Sequence, residues 1–307
     1  MAVKVVCMGS INIDFVMRAD QLPGPGQTVL GEDLRIVSGG KGANQSVAAA
    51  RLGGRSSIIG RVGADIFAGQ IRESLEADGV NTQYLVADAG SHTGAAFITL
   101  ASTGENRILS ILGTNALVTA EQVAAAEPLI AGADVVLLTL ATPTPSVEAA
   151  LRLAKKHGVR VHLDPTPLGP ALPESWREVD VATPNETEAQ PLCGFAVTDM
   201  DSARAAAEKI RDEGVGVAVV KLGAQGCVVA DATGTRHIPS FQVDVVDTTA
   251  AGDAFAAALG IRLAEGAALD EALIFANATG ALVTTVFGAQ PSLPHRATVE
   301  KFLAARA

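Results

Sequence analysis

The stretch TTAAGDAFAAAL, residues 248–259, places an acid at the start of an alanine-rich apolar run. Asp253 follows Gly252, and the run behind it predicts a helix over residues 254–264. A carboxylate at a helix N-terminus caps free N–H groups and faces the positive end of the helix dipole, which is expected to lower its pKa. The small residues before the helix also allow several amides to converge on an anion. A carboxylate beside such an anion hole suits phosphoryl transfer to a hydroxyl group.

Two stretches near the N-terminus carry polar side chains suited to a hydroxylated ligand. GSINID places Asn12 and Asp14 on one face at the end of a strand, where a parallel sheet usually has its binding crevice. SGGKGANQ opens a helix with glycines that permit close backbone approach, and it carries Lys41 and Asn44. The alternatives are a turn formed by Asx residues in the first stretch and a tight turn with a solvated lysine in the second.

Two later stretches each have a structural and a functional interpretation. TPNETEA begins a helix at Asn185, either as a plain N-cap or as a site where Asn185 and Glu188 hold a water-ligated Mg²⁺ near a nucleotide. VVKLGAQGCVV predicts two strands around an LGxxG turn, which serves either as a simple connection or as a loop that contacts a nucleotide.

The composition excludes several classes of protein. The chain has 307 residues, of which 48% are hydrophobic, so it can bury a large core in one or two domains. A net charge of −10 without a basic stripe argues against a nucleic-acid partner. The sequence contains none of the motifs GxxxxGK[ST], GxGxxG after a strand, GxSxG or HExxH. Three widely spaced cysteines indicate the reducing cytoplasm, and the lack of an apolar run of about 18 residues predicts no membrane association.

Short β-branched runs alternate with alanine-rich helical segments along the chain. This alternation predicts an α/β fold with a mostly parallel sheet covered on both faces. The predicted strands are Lys4–Met8, Ser56–Gly60, Val135–Thr139, Val159–Leu163, Val179–Thr183 and Val217–Lys221. The predicted helices are Ala43–Leu52, Ile66–Ala77, Pro145–His157, Glu186–Cys193, Asp201–Asp212, Ala254–Ala264, Leu269–Val283 and Ala297–Ala305.

Two segments, 13–38 and 93–112, depart from this alternation. Each predicts strands separated by a turn, PGPG in the first and STGEN in the second. Together they predict a small antiparallel sheet beside the α/β body. An exposed sheet of this kind needs a cover, and both a ligand below it and a partner subunit would supply one.

In order, GSINID, GGKGANQ, TPNETE, LGxxG, VDTTAAGD and GAQPS resemble the ribokinase branch of the phosphofructokinase-B carbohydrate kinases, over about residues 3–305. The resemblance implies a three-layer αβα body with a β-sheet lid. The body would comprise residues 1–12, 39–92 and 113–307, and the lid residues 13–38 and 93–112. It also implies use of ATP and Mg²⁺, activation by K⁺, and a homodimer formed through the lids.

The resemblance also implies a role for each matching residue. Asp253 matches the catalytic base, and the anion hole matches the backbone at Ala250, Ala251, Gly252 and Asp253. The sugar-hydroxyl contacts match Asn12, Asp14, Gly40, Lys41 and Asn44. The ATP and Mg²⁺ contacts match Asn185, Glu188, Lys221, Gly223, Gly226, Gly252 and Asn277. The monovalent-cation site matches the side chains of Asp247 and Ser292 with carbonyls near Thr249, Val283, Val286 and Gly288.

One position departs from the family pattern. Ribokinases commonly carry a sugar-binding Glu where this chain has Ala141. Loss of a charge-assisted hydrogen bond weakens sugar binding by roughly 1.5–3 kcal/mol. The leading hypothesis is phosphorylation of D-ribose by ATP to give ribose 5-phosphate and ADP. The alternatives are a kinase of another pentose, a deoxy sugar or a nucleoside, and a ligand-binding protein without catalysis.

Overall fold

The computed structural model describes residues 2–101, 106–167 and 172–306. Its strands are β1 (Lys4–Met8), β2 (Asn12–Ala19), β3 (Gly31–Gly39), β4 (Arg55–Gly63), β5 (Asn81–Asp88), β6 (Gly94–Ala101), β7 (Asn106–Ile111), β8 (Val135–Thr139), β9 (Arg160–Asp164), β10 (Val181–Ala182), β11 (Val217–Lys221), β12 (Cys227–Asp231) and β13 (Gly234–Ile238). Its helices are α1 (Lys41–Arg51), α2 (Ile66–Ala77), α3 (Ala120–Ala125), α4 (Glu127–Ala131), α5 (Thr144–His157), α6 (Glu186–Cys193), α7 (Met200–Asp212), α8 (Ala251–Ala264), α9 (Leu269–Val283), α10 (Ala289–Ser292) and α11 (Arg296–Ala304).

The central sheet has nine strands in the described residues, in the order β13-β12-β11-β10-β9-β8-β1-β4-β5. All neighbours pair in parallel except at one edge, where β11, β12 and β13 are antiparallel. Along β1, Val5 and Cys7 enter one hydrophobic core, whereas Val6 and Met8 enter a second core on the opposite face. Strands buried on both faces require continuous apolar runs, so the predicted mostly parallel, doubly covered sheet is confirmed.

A separate four-stranded sheet, in the order β3-β2-β6-β7, stands beside this body and confirms the predicted extra sheet. It is mixed rather than antiparallel, because its central strands β2 and β6 run parallel. The reason lies in the connections. β2 follows β1 and β6 follows β5 after short links, and β1 and β5 point the same way in the central sheet. The two strands therefore leave the body in the same direction.

One face of the small sheet turns inward and the other stays largely uncovered. Val16, Ile98 and Phe287 pack together on the inner side. A row of apolar side chains crosses the other face, from Ile36 through Phe15 and Phe97 to Leu109. The outer members are exposed, with Leu109 64% accessible.

The predicted turn STGEN falls mostly on residues 102–105, which lie outside the described residues. In the ranges that the structure does describe, no helix combines the length and apolar character needed to cross a bilayer.

Candidate active site

Asp253 lies in the first turn of α8, which begins three residues earlier than predicted, at Ala251. The preceding residue, Ala250, has a φ of 64° and is the one non-glycine residue in the described chain with a positive φ. This left-handed conformation costs an alanine on the order of 1–2 kcal/mol. The Ala251 amide donates to the Thr248 carbonyl at 3.3 Å, whereas the described chain offers no acceptor to the amides of Gly252 and Asp253. Two of the predicted anion-hole amides are therefore free.

The Asp253 carboxylate is buried, with 4% exposure. Its Oδ2 accepts a hydrogen bond from Asn44 Nδ2 at 2.8 Å, and Oδ1 has no partner in the described structure. Burial raises the pKa of Asp253, and the charge of Asp164 raises it further, against the opposing effects of Lys41, Asn44 and Lys221. The prediction that the helix dipole lowers this pKa is wrong, because desolvation outweighs the dipole. A raised pKa makes Asp253 a better base.

The start of α1 carries the second group of predicted residues. Gly40 has a φ of 90°, and a Cβ there would lie 2.6 Å from the Ser10 carbonyl oxygen, so glycine is required. Lys41 is half-buried, and Asn44 is buried. Burial by itself lowers the pKa of Lys41, but attraction to Asp253, Asp164 and Glu188 outweighs it and raises the pKa. Lys41 is therefore a cation at neutral pH.

Asn12 and Asp14 are alternate residues of β2 and so share one face of the strand, as predicted, and both are buried. Asn12 Oδ1 accepts from Asn115 Nδ2 at 2.9 Å, and Asn115 is a residue that the sequence reasoning missed. Asn115 Oδ1 accepts from the Ile11 amide at 2.8 Å, so it fixes both the backbone and the side chain at this strand end. Asp14 Oδ1 has no partner in the part of the chain described.

Several buried polar atoms of this region lack a hydrogen-bond partner among the described residues. They are Asp14 Oδ1, Asn44 Oδ1, Thr139 Oγ1, Thr142 Oγ1 and Asp253 Oδ1. Buried polar atoms are nearly always satisfied in folded proteins, so a group of unsatisfied ones indicates a ligand rich in hydroxyl groups. Thr139 and Thr142 flank Ala141, which is itself buried.

Asp14 should make the stability of the protein depend on pH. Burial, together with the nearby Asp253 charge, raises the pKa of Asp14 from 3.8 to about 7. A carboxyl whose folded pKa lies above its unfolded pKa favours folding below the unfolded value and loses that contribution as pH rises to the folded value. We expect the free energy of unfolding to fall between pH of about 4 and 7, by at most about 4 kcal/mol from this group.

Urea unfolding at several pH values checks this expectation. In Asp14→Asn the free energy of unfolding should decline much less as pH rises. Titration of Asp253 should account for part of the decline that remains. The exposed Asp244 supplies a control, because Asp244→Asn should leave the slope unchanged. An unaltered pH slope in Asp14→Asn would contradict the assignment.

Asn185 and Glu188 form a reciprocal capping box at the start of α6, which confirms the N-cap interpretation. Asn185 Oδ1 accepts from the Glu188 amide at 2.9 Å, and Glu188 Oε2 accepts from the Asn185 amide at 2.8 Å. The segment pairs with the end of β11, since the Lys221 amide donates to the Pro184 carbonyl at 2.8 Å. Asn185 therefore lies beside Lys221. The negative charge of Glu188 helps to raise the pKa of Lys41.

In the LGxxG turn after β11, both glycines have a positive φ, 53° at Gly223 and 93° at Gly226. A Cβ at Gly226 would lie 2.2 Å from the Ile238 carbonyl oxygen. Asn277 is buried, and its Nδ2 donates to the carbonyls of Ile238 and Pro239, at 3.2 Å each. The amide nitrogen of Asn277 thus holds the segment that packs against the Gly226 turn, and its contact with adenine stays a prediction.

Asp247 joins the two loops predicted to bind a monovalent cation. Its Oδ1 accepts from the amide and hydroxyl of Thr249, and its Oδ2 accepts from the Gly288 amide at 2.9 Å. The hydroxyl of Ser292 donates to the Ala289 carbonyl at 2.7 Å. The Asp247 carboxylate and the Thr249 hydroxyl thus lie together beside Gly288. Carboxylate and hydroxyl oxygens suit a weakly polarising cation, and the binding of one here stays a prediction.

Asp164 and Gln45 lie next to the predicted site and were missed by the sequence reasoning. Lys221 Nζ donates to Asp164 Oδ1 at 3.0 Å, and Gln45 Nε2 donates to Asp164 Oδ2 at 3.3 Å. The available signal was the position of Asp164 at the carboxyl end of a buried parallel strand.

The doubly covered parallel sheet, the separate small sheet and a buried carboxylate at a helix N-terminus are the combination expected of a sugar phosphotransferase. A family model described as pfkB family carbohydrate kinase matches residues 2–296. The chain belongs to that family.

Similar proteins include a ribokinase from Haemophilus influenzae, which is 39% identical over 296 residues, 96% of this chain and 97% of the relative. A deoxyribokinase from Salmonella typhi is 33% identical over 299 residues, 97% of each chain. Among solved structures, Arabidopsis thaliana ribokinase complexed with ribose and ATP is similar, with a TM-score of 0.91, 32% identity and coverage of 99% of both chains.

Proposed function

We propose that this chain is an ATP-dependent sugar kinase that converts ATP and D-ribose into ADP and D-ribose 5-phosphate. The observation that carries the proposal is the Asp253 carboxylate, held by Asn44 through one oxygen and unpartnered at the other, beside two free amides. The similar ribokinases, one of them complexed with ribose and ATP, support the same reaction.

In the proposed mechanism Asp253 Oδ1 accepts the proton of the sugar's primary hydroxyl. The hydroxyl oxygen bonds to the γ-phosphorus of ATP while the bond to the β–γ bridging oxygen breaks, and the electron pair leaves with ADP. The raised pKa of Asp253 improves proton acceptance. The Gly252 and Asp253 amides, with the dipole of α8, stabilise negative charge on the moving phosphoryl group.

The sugar would bind between β2 and α1. Asn12, Asp14, Lys41 and Asn44 supply donors and acceptors, and Gly40 permits close backbone approach. The unpartnered oxygens of Asp14 and Asn44 support this placement, because hydroxyl groups would satisfy them.

ATP would lie along the ends of β11 and α6. We assign phosphate contacts to Lys221, Gly223, Gly226 and Gly252, and the approach to adenine to the region of Asn277. Asn185 and Glu188 would hold Mg²⁺ through water, because their capping box already occupies one oxygen of each side chain. Bound Mg²⁺ neutralises phosphate charge.

K⁺ would be held by oxygens near Asp247, Thr249, Val283, Val286, Gly288 and Ser292. The charge of bound K⁺ would stabilise the loops on either side of the anion hole. The hydrogen bonds that Asp247 accepts from Thr249 and Gly288 support this assignment, since they hold the two loops together.

We propose residues 1–12, 39–92 and 113–307 as the catalytic body and residues 13–38 and 93–112 as a lid that excludes water from the reaction. The uncovered apolar row of the lid supports a homodimer formed through this face. We also propose a cytoplasmic location, which the three free and buried thiols support.

The identity of the sugar that receives the phosphoryl group is the finer part of the proposal. Deoxyribose is the second candidate. Ala141 cannot supply the charge-assisted hydrogen bond expected of a Glu, and one relative is a deoxyribokinase. We expect ribose to have the highest kcat/KM, with 2-deoxyribose within about 100-fold, because the missing interaction is worth roughly 1.5–3 kcal/mol.

A coupled assay of ADP release over ribose, 2-deoxyribose, other pentoses and nucleosides tests this ranking. Ala141→Glu should raise the preference for ribose by about tenfold or more. Turnover of another acceptor without any turnover of ribose would overturn the ribose assignment. ATP binding with no ADP release for any acceptor would overturn the kinase.

A further inference from the structure

A buried ion pair spans the carboxyl ends of two strands beside α8. Lys221 ends β11 and Asp164 ends β9, with the two-residue strand β10 between them. Their side chains are 14% and 2% exposed, and the ammonium lies 3.0 Å from Asp164 Oδ1. Gln45 of α1 fixes the second carboxylate oxygen. Asp164 therefore accepts one hydrogen bond from β11 and one from α1, and both of these elements carry proposed site residues.

The ammonium of Lys221 points at the start of α8. A Cβ added to Gly252 would lie 3.3 Å from Lys221 Nζ. A cation near the N-terminus of a helix faces the positive end of its dipole, which is unfavourable in the absence of an anion. The amides of Gly252 and Asp253, which have no acceptor in the described chain, belong to this same first turn of α8. An anion bound between these two amides and the Lys221 ammonium would accept hydrogen bonds from the amides and neutralise the cation.

A purely structural role explains this arrangement less well. Buried ion pairs seldom add net stability, because desolvation offsets their attraction. The neighbouring His162 does not share the charge, since burial above all lowers its pKa to about 3 and leaves it neutral. The negative charge of Asp164 raises the pKa of both Lys41 and Asp253, so it acts on the groups of the proposed site.

We infer that Lys221 is a catalytic residue that contacts the transferring phosphoryl group, and that Asp164, fixed by Gln45, is the residue that positions it. This inference rests on the proposed function. No covalent bond to Lys221 forms or breaks in the reaction. Its charge stabilises the phosphoryl oxygens more strongly as negative charge develops on them.

Steady-state kinetics with the full-length protein test the inference. Lys221→Met should lower kcat by about 10²–10³-fold with a smaller change in the KM for the sugar. It also leaves the Asp164 charge uncompensated, so the protein should be less stable. The double variant Lys221→Met with Asp164→Asn should recover stability but not kcat, and Lys221→Arg should recover part of kcat. Lys209→Met, at an exposed helical lysine, is the control and should match wild type.

Asp164→Asn alone should lower kcat by about tenfold, because an unanchored ammonium loses its orientation. Recovery of kcat together with stability in the double variant would show a structural role and overturn the inference. So would a Lys221→Met variant with wild-type kcat.

Calorimetry with ADP and a non-hydrolysable ATP analogue separates this inference from the proposed function. Lys221→Met should lose affinity for the triphosphate more than for the diphosphate. Equal losses, or none, would overturn the inference even if the wild type turned over no sugar. A wild type that turned over no sugar, with the triphosphate preference still lost in Lys221→Met, would overturn the proposed function and leave only the contact between Lys221 and the terminal phosphate.

Discussion

Asp253→Asn should lower kcat by about 10²–10⁴-fold, the usual cost of losing a general base. Asparagine keeps the shape of the side chain and its contact with Asn44, but it cannot accept the proton of a hydroxyl group. The variant should remain folded and gain stability near neutral pH, because it removes a buried carboxylate whose pKa is raised by burial. The KM for the sugar should change far less than kcat.

A matched control separates proton transfer from helix capping. Asp201 occupies the first turn of α7 and is exposed, so Asp201→Asn changes the charge at a helix start away from the site. We expect kcat to be unchanged in this control. Retention of more than about a tenth of wild-type kcat in Asp253→Asn would remove the base assignment.

Gly42→Ala should damage both stability and catalysis. Alanine normally favours a helix over glycine by about 1 kcal/mol. At Gly42, however, the new Cβ would lie 2.7 Å from the backbone N, Cα and C atoms of Gly9, so β1 or α1 must shift. We expect a loss of about 1–3 kcal/mol in the free energy of unfolding. Because α1 carries Lys41 and Asn44, a shift of about 1 Å should cost on the order of 10²-fold in kcat/KM.

Gly69→Ala provides the opposite expectation in another helix. Gly69 lies inside α2, and a Cβ there would meet nothing within 4 Å. This variant should gain about 0.5–1 kcal/mol with unchanged kinetics. Similar thermal unfolding and similar activity in the two variants would show that contact with the Gly9 backbone does not position α1.

The sequence predicted the body of the fold well because its strands are buried on both faces. Lys4–Met8 and Val135–Thr139 have the predicted bounds, since continuous apolar runs end where burial ends. β5 was missed because it is an edge strand with alternating exposure. The short helices α3 and α4 were also missed, because they are six and five residues long and separate at Ala126. The parallel pairing of β2 with β6 depends on how these strands are connected to β1 and β5 in the body. The local sequence of the two strands does not encode that pairing direction.

The predicted site residues on β2, at the start of α1 and at the start of α8 lie close to one another. Asn44 contacts Asp253, and the charges of Asp14 and Lys41 interact with Asp253. Asp164 and Asn115 were not found, because their importance lies in contacts with residues more than 50 positions away. The direction of the Asp253 pKa was also wrong, because the sequence shows the helix start but not how deeply the carboxylate is buried.

Phosphorus NMR of the product formed from ATP, Mg²⁺ and D-ribose tests the central claim most directly. Transfer to the primary hydroxyl next to Asp253 predicts a phosphate monoester whose phosphorus couples to two methylene protons, formed in equal amount with ADP. Release of ADP with inorganic phosphate alone, or coupling to a single ring proton, would contradict the account.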